Sequence, residues 1–299
     1  MKKLIWGIVI TLVVVGLGVY FFMHSKKDVA VVTPPPPPTQ NTTPPPQQPP
    51  VDTTKTVIGT SAGGREITAY HYGTGTTELL FVGGIHGGYE WNTALVAYQM
   101  RDYLKTNPSV VPQNVKVTII PVLNPDGLNK VVSATDIFTA ADVNTSESIQ
   151  VTGRFNGNNV DLNRNFDCDW QTKAVWQSTP VSGGSAAFSE PESQAVKTYV
   201  EAHKPTAVVV WYSSVGGVFA SNCHKGVLPE TTAIMKIYAN ASKYPAYASF
   251  DFYETTGDMV NWLAKNNIPA ISVLLTNHTD AEWNKNKAGI DALFAHYAK

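Results

Sequence analysis

An apolar run rich in Ile, Val and Leu extends from Leu4 to Met23, bracketed by Lys2-Lys3 and Lys26-Lys27. As a helix, about 20 such residues cover the hydrocarbon core of a bilayer, so residues 1–27 read as a membrane segment. A cleaved signal peptide usually has a shorter apolar core that ends in a small-residue cleavage site. No such site follows Met23, which favours an uncleaved signal anchor. Lysines at both ends leave the orientation open.

From Asp28 to Lys55 the pattern turns to Pro, Thr, Gln and Val, with Pro34 to Pro38, Pro44 to Pro46 and Pro49-Pro50. Consecutive prolines lack donors and favour polyproline II, so residues 28–55 read as a semi-rigid linker. The rest, residues 56–299, is long enough for one α/β domain with a substantial core.

Within that domain the short apolar runs 79–82, 115–123, 207–212 and 270–275 do not alternate strictly with polar residues. This is the pattern of strands buried on both faces. Between them, 92–106, 190–203, 229–243, 257–266 and 281–297 read as helices. Alternating strands and helices predict an α/β fold with a mixed, mostly parallel sheet and helices on both faces. In such sheets ligands gather beyond the carboxyl ends of the strands. His86, Asn124 and Ser213-Ser214 fall at or just past three of these runs, so the chemistry converges on one edge. Residues 142–159, rich in Asn, Ser, Thr and Gly, read as a long surface loop.

With 22 Lys and Arg against 23 Asp and Glu, and no basic stripe, nucleic acid is not an expected partner. The two cysteines, Cys168 and Cys223, are buried thiols if the domain is intracellular and can form a disulfide if it lies beyond a membrane anchor.

Three strings carry the candidate chemistry: Gly84-Ile85-His86-Gly87-Gly88-Tyr89-Glu90-Trp91, Asn124-Pro125-Asp126-Gly127 and Val160-Asp161-Leu162-Asn163-Arg164-Asn165-Phe166. His86 and Glu90, at i and i+4, are within reach of one metal ion from a turn entering a helix. A guanidinium offers a planar fork that matches the two oxygens of a carboxylate. On these strings the domain resembles the zinc metallocarboxypeptidase family, which includes the pancreatic carboxypeptidases. The resemblance implies zinc as cofactor, held by His86 and Glu90, and peptide C-termini as partners. It also implies that Asn163 and Arg164 bind the terminal carboxylate, that Arg154 polarises the scissile carbonyl, and that Tyr253 closes over bound substrate. Asn124 to Gly127 matches the family too, but Pro-Asp-Gly is common turn chemistry and reads as scaffold.

Two positions depart from the family. Its third zinc ligand is the histidine of a strand-terminal His-Ser pair, and in Trp211-Tyr212-Ser213-Ser214 the expected position is Ser213. A neutral hydroxyl is a poor zinc ligand beside imidazole or carboxylate. Its general-base glutamate falls at Leu274 or Leu275. General acid–base help is worth about 10² to 10⁴ in rate, so the expectation is a peptide-binding domain with impaired hydrolysis. The alternative is an active carboxypeptidase on peptides or cell-wall stem peptides, with His224 or His278 as substitute ligand and Asp280 or Glu282 as substitute base. The expected location is membrane-anchored and extracytoplasmic, at the cell surface.

Overall fold

The computed structural model describes residues 54–133 and 137–299, together with positions 17, 20 and 23. Chain contacts divide the protein into residues 1–50 and 51–299, and the account below concerns the second unit. All of the expected membrane helix but positions 17, 20 and 23, and nearly all of the linker, lie outside the described residues. Among the described residues no helix is long and apolar enough to cross a membrane.

The elements run β1 (Lys55–Thr60), β2 (Glu66–Tyr72), β3 (Thr77–Val82), α1 (Trp91–Thr106), β4 (Val115–Ile120), α2 (Pro125–Val132), α3 (Glu147–Thr152), β5 (Lys173–Trp176) and β6 (Thr179–Ser182). They continue α4 (Pro191–His203), β7 (Ala207–Ser213), β8 (Gly217–Ala220), α5 (Pro229–Ser242), β9 (Ala246–Tyr247), α6 (Met259–Lys265), β10 (Ala270–Leu275) and α7 (Trp283–Tyr297).

Eight strands form one sheet in the order β1-β2-β4-β3-β7-β10-β8-β9, and β5 and β6 form a separate hairpin. The four central strands, β4, β3, β7 and β10, pair in parallel. Antiparallel pairings join β1 to β2, β2 to β4, and β10 to β8. All seven residues of β7 and all six of β10 are buried. Helices on both faces bury them. Val96, Met100, Ile234, Ile290 and Leu293 of α1, α5 and α7 pack against one face. Ala195, Val196, Val200, Met259 and Leu263 of α4 and α6 pack against the other. The mixed, mostly parallel α/β architecture is present.

Two readings need correction, and one pair of strands had no prediction. The β1–β2 hairpin lies on the sheet edge, where β2 alternates buried and half-exposed positions instead of forming an apolar run. Asn124-Pro125-Asp126-Gly127 is a helix start. Pro125 takes the first helical position, where its missing N–H costs nothing, and the Asn124 side chain accepts from Gly127 N at 2.8 Å. The segment 142–159 is interrupted by α3, which ends at Thr152 and delivers Arg154 directly behind it.

Candidate functional site

Because β3, β7 and β10 are parallel, their C-terminal ends open on the same edge of the sheet, and a cavity of about 240 Å³ sits there. That is below the roughly 300–1,000 Å³ usual for drug-sized ligands, so it suits the last residue of a chain better than a long segment. His86, Glu90, Arg154, Asn163, Arg164 and Tyr253 all line it. The structure thus brings every expected site residue to one cavity.

His86 sits in the turn that leaves β3. Gly87 in this turn has a φ of +45°, and a side chain there would run into the backbone of Gly127 and Leu128. The turn is tied to the start of α1 through Thr93, whose hydroxyl donates to Glu90 O at 2.7 Å and accepts from Gly84 N at 3.0 Å. Glu90 is therefore fixed one turn from His86, and His86 Nδ1 lies 3.0 Å from Glu90 Oε1. On the other side of the imidazole, Nε2 lies 3.3 Å from Asp161 Oδ1. Neither contact has the alignment of a hydrogen bond. Both His86 nitrogens and Glu90 Oε2 are buried without a hydrogen-bond partner. Buried polar atoms normally find partners, and imidazole and carboxylate facing one another around a shared point are the donor types zinc takes. A carboxylate behind the second imidazole nitrogen is the usual outer support of a metal-bound histidine. The His86–Glu90 pair therefore fits two of the family's zinc ligands.

Asp161 is fully buried and also pairs with Arg154, accepting from Nε at 2.9 Å and lying 2.8 Å from Nη2. Burial alone would raise its pKa, but Arg154, His86 and Arg164 together hold the carboxyl well below the ordinary range. The Arg154 guanidinium also lies 4.3 Å from the Trp176 ring on β5.

Arg164 is 1% exposed and held by backbone, with Nε donating to Val175 O at 2.9 Å and Nη1 to Asn163 O at 2.7 Å. Its Nη2 has no partner. The chain holds this arginine in place where Phe166 N donates to Gly257 O and Gly257 N donates to Cys168 O, at 3.0 and 2.7 Å. Gly257 has a φ of +65°, and a side chain there would strike the Arg164 carbonyl. The Asn163 amide is largely committed. Its oxygen accepts from Tyr212 OH and Met259 N, and its Nδ2 donates to Asp258 Oδ2 at 2.8 Å. Asp258 is buried, and burial raises its pKa. Tyr253 is half-buried, its ring edge-on to Phe250 at 5.0 Å, in an aromatic wall that includes Phe219.

At the expected departures, strand alternation decides which side chains enter. Tyr212 and Leu274 occupy paired positions on β7 and β10, and both belong to the core cluster on one face. Leu275 belongs to the cluster on the opposite face. The Tyr212 ring lies 5.8 Å from His86 between centroids. Burial, first, and the nearby carboxylates raise the Tyr212 pKa well above its ordinary value. Ser213 Oγ instead bonds Asn92 Oδ1 at 3.0 Å and His278 Nδ1 at 3.2 Å. His278 lines the cavity, and burial, aided by His86 and Arg154, lowers its pKa. His224 does not line it and pairs with Asp169 at 2.7 Å. Cys168 and Cys223 form a disulfide, so the cluster with Asp169 offers no thiolate to a metal.

Asp161, Trp176, Tyr212 and Asn92 had no role assigned from sequence. Asp161 stands inside the Asn-Arg string, two residues before Asn163, which was the available signal. The others act through contacts between distant segments.

Residues 47–288 match the sequence model described as zinc carboxypeptidase. The carboxypeptidase N catalytic chain of Rattus norvegicus is 30% identical over 157 residues, which is 50% of this chain and 31% of that protein. Carboxypeptidase Z of Gallus gallus is 28% identical over 187 residues, 58% of this chain and 27% of that protein. The chain thus spans about a third of the length of these relatives. Among solved structures, murein-tripeptide amidase MpaA from Escherichia coli O157 has a TM-score of 0.57 at 19% identity, covering 84% of this chain and 94% of its own. Bovine thrombin-activatable fibrinolysis inhibitor, solved with tick carboxypeptidase inhibitor, has a TM-score of 0.63 at 17% identity, covering 81% and 87%. At these identities the solved structures establish a shared fold.

Proposed function

Because the chain belongs to the zinc carboxypeptidase family, we propose that this cleft grips the C-terminal carboxylate of peptides and hydrolyses them poorly. The observation that carries the reading is Arg164 Nη2, a charged donor 1% exposed, without a partner, in a residue that lines the cavity. A buried unpaired donor is costly, and an incoming carboxylate removes that cost. Asn163 contributes its remaining amide hydrogen, Arg154 faces the adjacent carbonyl, and Tyr253 covers the bound residue.

The poor turnover follows from β7 and β10. The paired inward positions support reading Tyr212-Ser213 as the counterpart of the family's His-Ser pair, which moves the lost donor from Ser213 to Tyr212. Tyr212 spends its hydroxyl on Asn163. Leu274 then stands at the general-base position, where it neither accepts nor gives a proton. A bound zinc would polarise a carbonyl and acidify water; His86 and Glu90 would hold it. The orphaned atoms of that pair are the observation that favours the second reading, an active carboxypeptidase on peptides or stem peptides.

The apolar run at 4–23 and the proline tract support a tethered domain outside the cytoplasm, and the Cys168–Cys223 disulfide suits an oxidising compartment.

Calorimetry with matched peptides ending in a free acid or an amide tests the reading. The free acid binds more tightly by about tenfold or more, the range of a charge-assisted hydrogen bond, and Arg164→Ala abolishes the difference. Equal binding of acid and amide refutes the grip, and rapid release of the last residue refutes the impairment.

A further inference from the structure

We propose that His278 is the third metal-holding side chain of this site, delivered by the turn between β10 and α7 instead of by β7. The proposal concerns the cavity assigned above and rests on its zinc-type donor pair, not on the peptide grip. Among the described residues, His278 is the only histidine besides His86 that lines the cavity.

The turn that carries it is built against the helix start that carries Glu90. Asn92, two residues after Glu90 and fully buried, donates to Asn277 O at 2.7 Å and to Asp280 O at 3.0 Å. Asn277 Oδ1 accepts from Thr279 N and Asp280 N, both at 2.8 Å, and Glu282 accepts from Thr276 N at 2.7 Å. The backbone on both sides of His278 is therefore pinned. Ser213 completes the cradle, bonded at once to Asn92 and to His278 Nδ1. The His278 ring packs against Tyr89, the neighbour of Glu90, at 4.7 Å between centroids. Ser213 thus holds the His278 ring at the cavity.

Among the described residues no trio of His, Cys, Asp or Glu donor atoms in this cavity lies within 4.8 Å. Metal binding by His278 therefore requires its ring to move toward His86 and Glu90 from the position where it bonds Ser213. His224 is no rival, since its side chain is 74% exposed and paired with Asp169.

The test is metal content by mass spectrometry after dialysis of the purified protein against zinc, together with the visible spectrum of the cobalt-substituted protein. The wild type retains about one zinc per chain, as a three-donor site does. His278→Ala and His278→Gln lose at least the roughly 10–100-fold in affinity that even an outer-shell change costs, and their cobalt spectra shift; His224→Ala matches the wild type. Retention of wild-type affinity and spectrum by both His278 variants, or absence of zinc from the wild type, overturns the proposal. Arg164→Ala separates the two readings. Zinc binding that needs His278, without any preference for free-acid peptides, leaves this proposal standing and removes the peptide grip.

Discussion

Asp161 Oδ2 takes both Nε and Nη2 of Arg154, at 2.9 and 2.8 Å, with neither side chain more than 2% exposed. Removing one partner of a buried pair leaves an uncompensated charge, at about 3–5 kcal/mol. Asp161→Asn keeps an acceptor, so a loss near about 3 kcal/mol is expected, measured by urea unfolding with an unchanged denaturant slope. A loss within the ~0.5 kcal/mol scatter of surface substitutions would show that the pair is not what holds Arg154.

The Tyr212 ring lies 5.8 Å from His86, whereas the Ser213 hydroxyl, also at the cavity, is committed to Asn92 and His278. Tyr212→His should therefore raise zinc affinity, and Tyr212→His with Leu274→Glu should gain release of C-terminal residues, a base alone contributing about 10² to 10⁴ in rate. Ser213→His should do neither and should disturb the 276–282 turn. A gain from Ser213→His with none from Tyr212→His would reverse the assignment.

The disulfide joins residues 55 apart in sequence and binds the segment after Arg164 to the segment after β8. Closing a loop of that size stabilises by about 4 kcal/mol on the chain-entropy account, within a usual range of about 2–5. Cys168→Ser with Cys223→Ser should lower the unfolding free energy by that order and weaken peptide binding through Phe166 and Gly257. Unchanged affinity in the folded double variant would uncouple the bridge from the cleft.

Glu282 has its carboxyl lowered from 4.5 to about 2; burial opposes this, but Lys285, Thr276 and Tyr244 more than offset it. With the folded value below the unfolded one, its stabilisation is full above about 4.5 and fades as pH falls toward about 2. Hydrogen exchange at the Thr276 amide should lose protection across that window, and Glu282→Gln should flatten the dependence. Protection that persists to pH 2 in the wild type would assign the turn's order to Asn92 and Asn277 instead.

The four central strands were legible because burial on both faces leaves continuous apolar runs, and β7 and β10 are such runs throughout. Edge strands gave no such signal, and β8 and β9, of four and two residues, are too short to carry a period. Helix α2 was hidden because Pro-Asp-Gly serves turns and helix starts equally well. At the site, His86 and Glu90 stand at a spacing suited to one metal ion, whereas Arg154 and Arg164 were legible through the resemblance to the family. Tyr212 was not legible, because which of two neighbouring strand residues points inward depends on register, and a shift of one reverses the answer. Trp176 lay beyond reach too, since its partner Arg154 is distant in sequence and its hairpin is independent of the main sheet.

That hairpin places both cleft arginines in one hand: Val175 O holds Arg164, and the Trp176 ring covers Arg154. Its tip at Gln177 and Ser178 is exposed. A single nick by a protease at that corner would slacken two guanidinium groups together, silencing the pocket while the surrounding sheet stays folded.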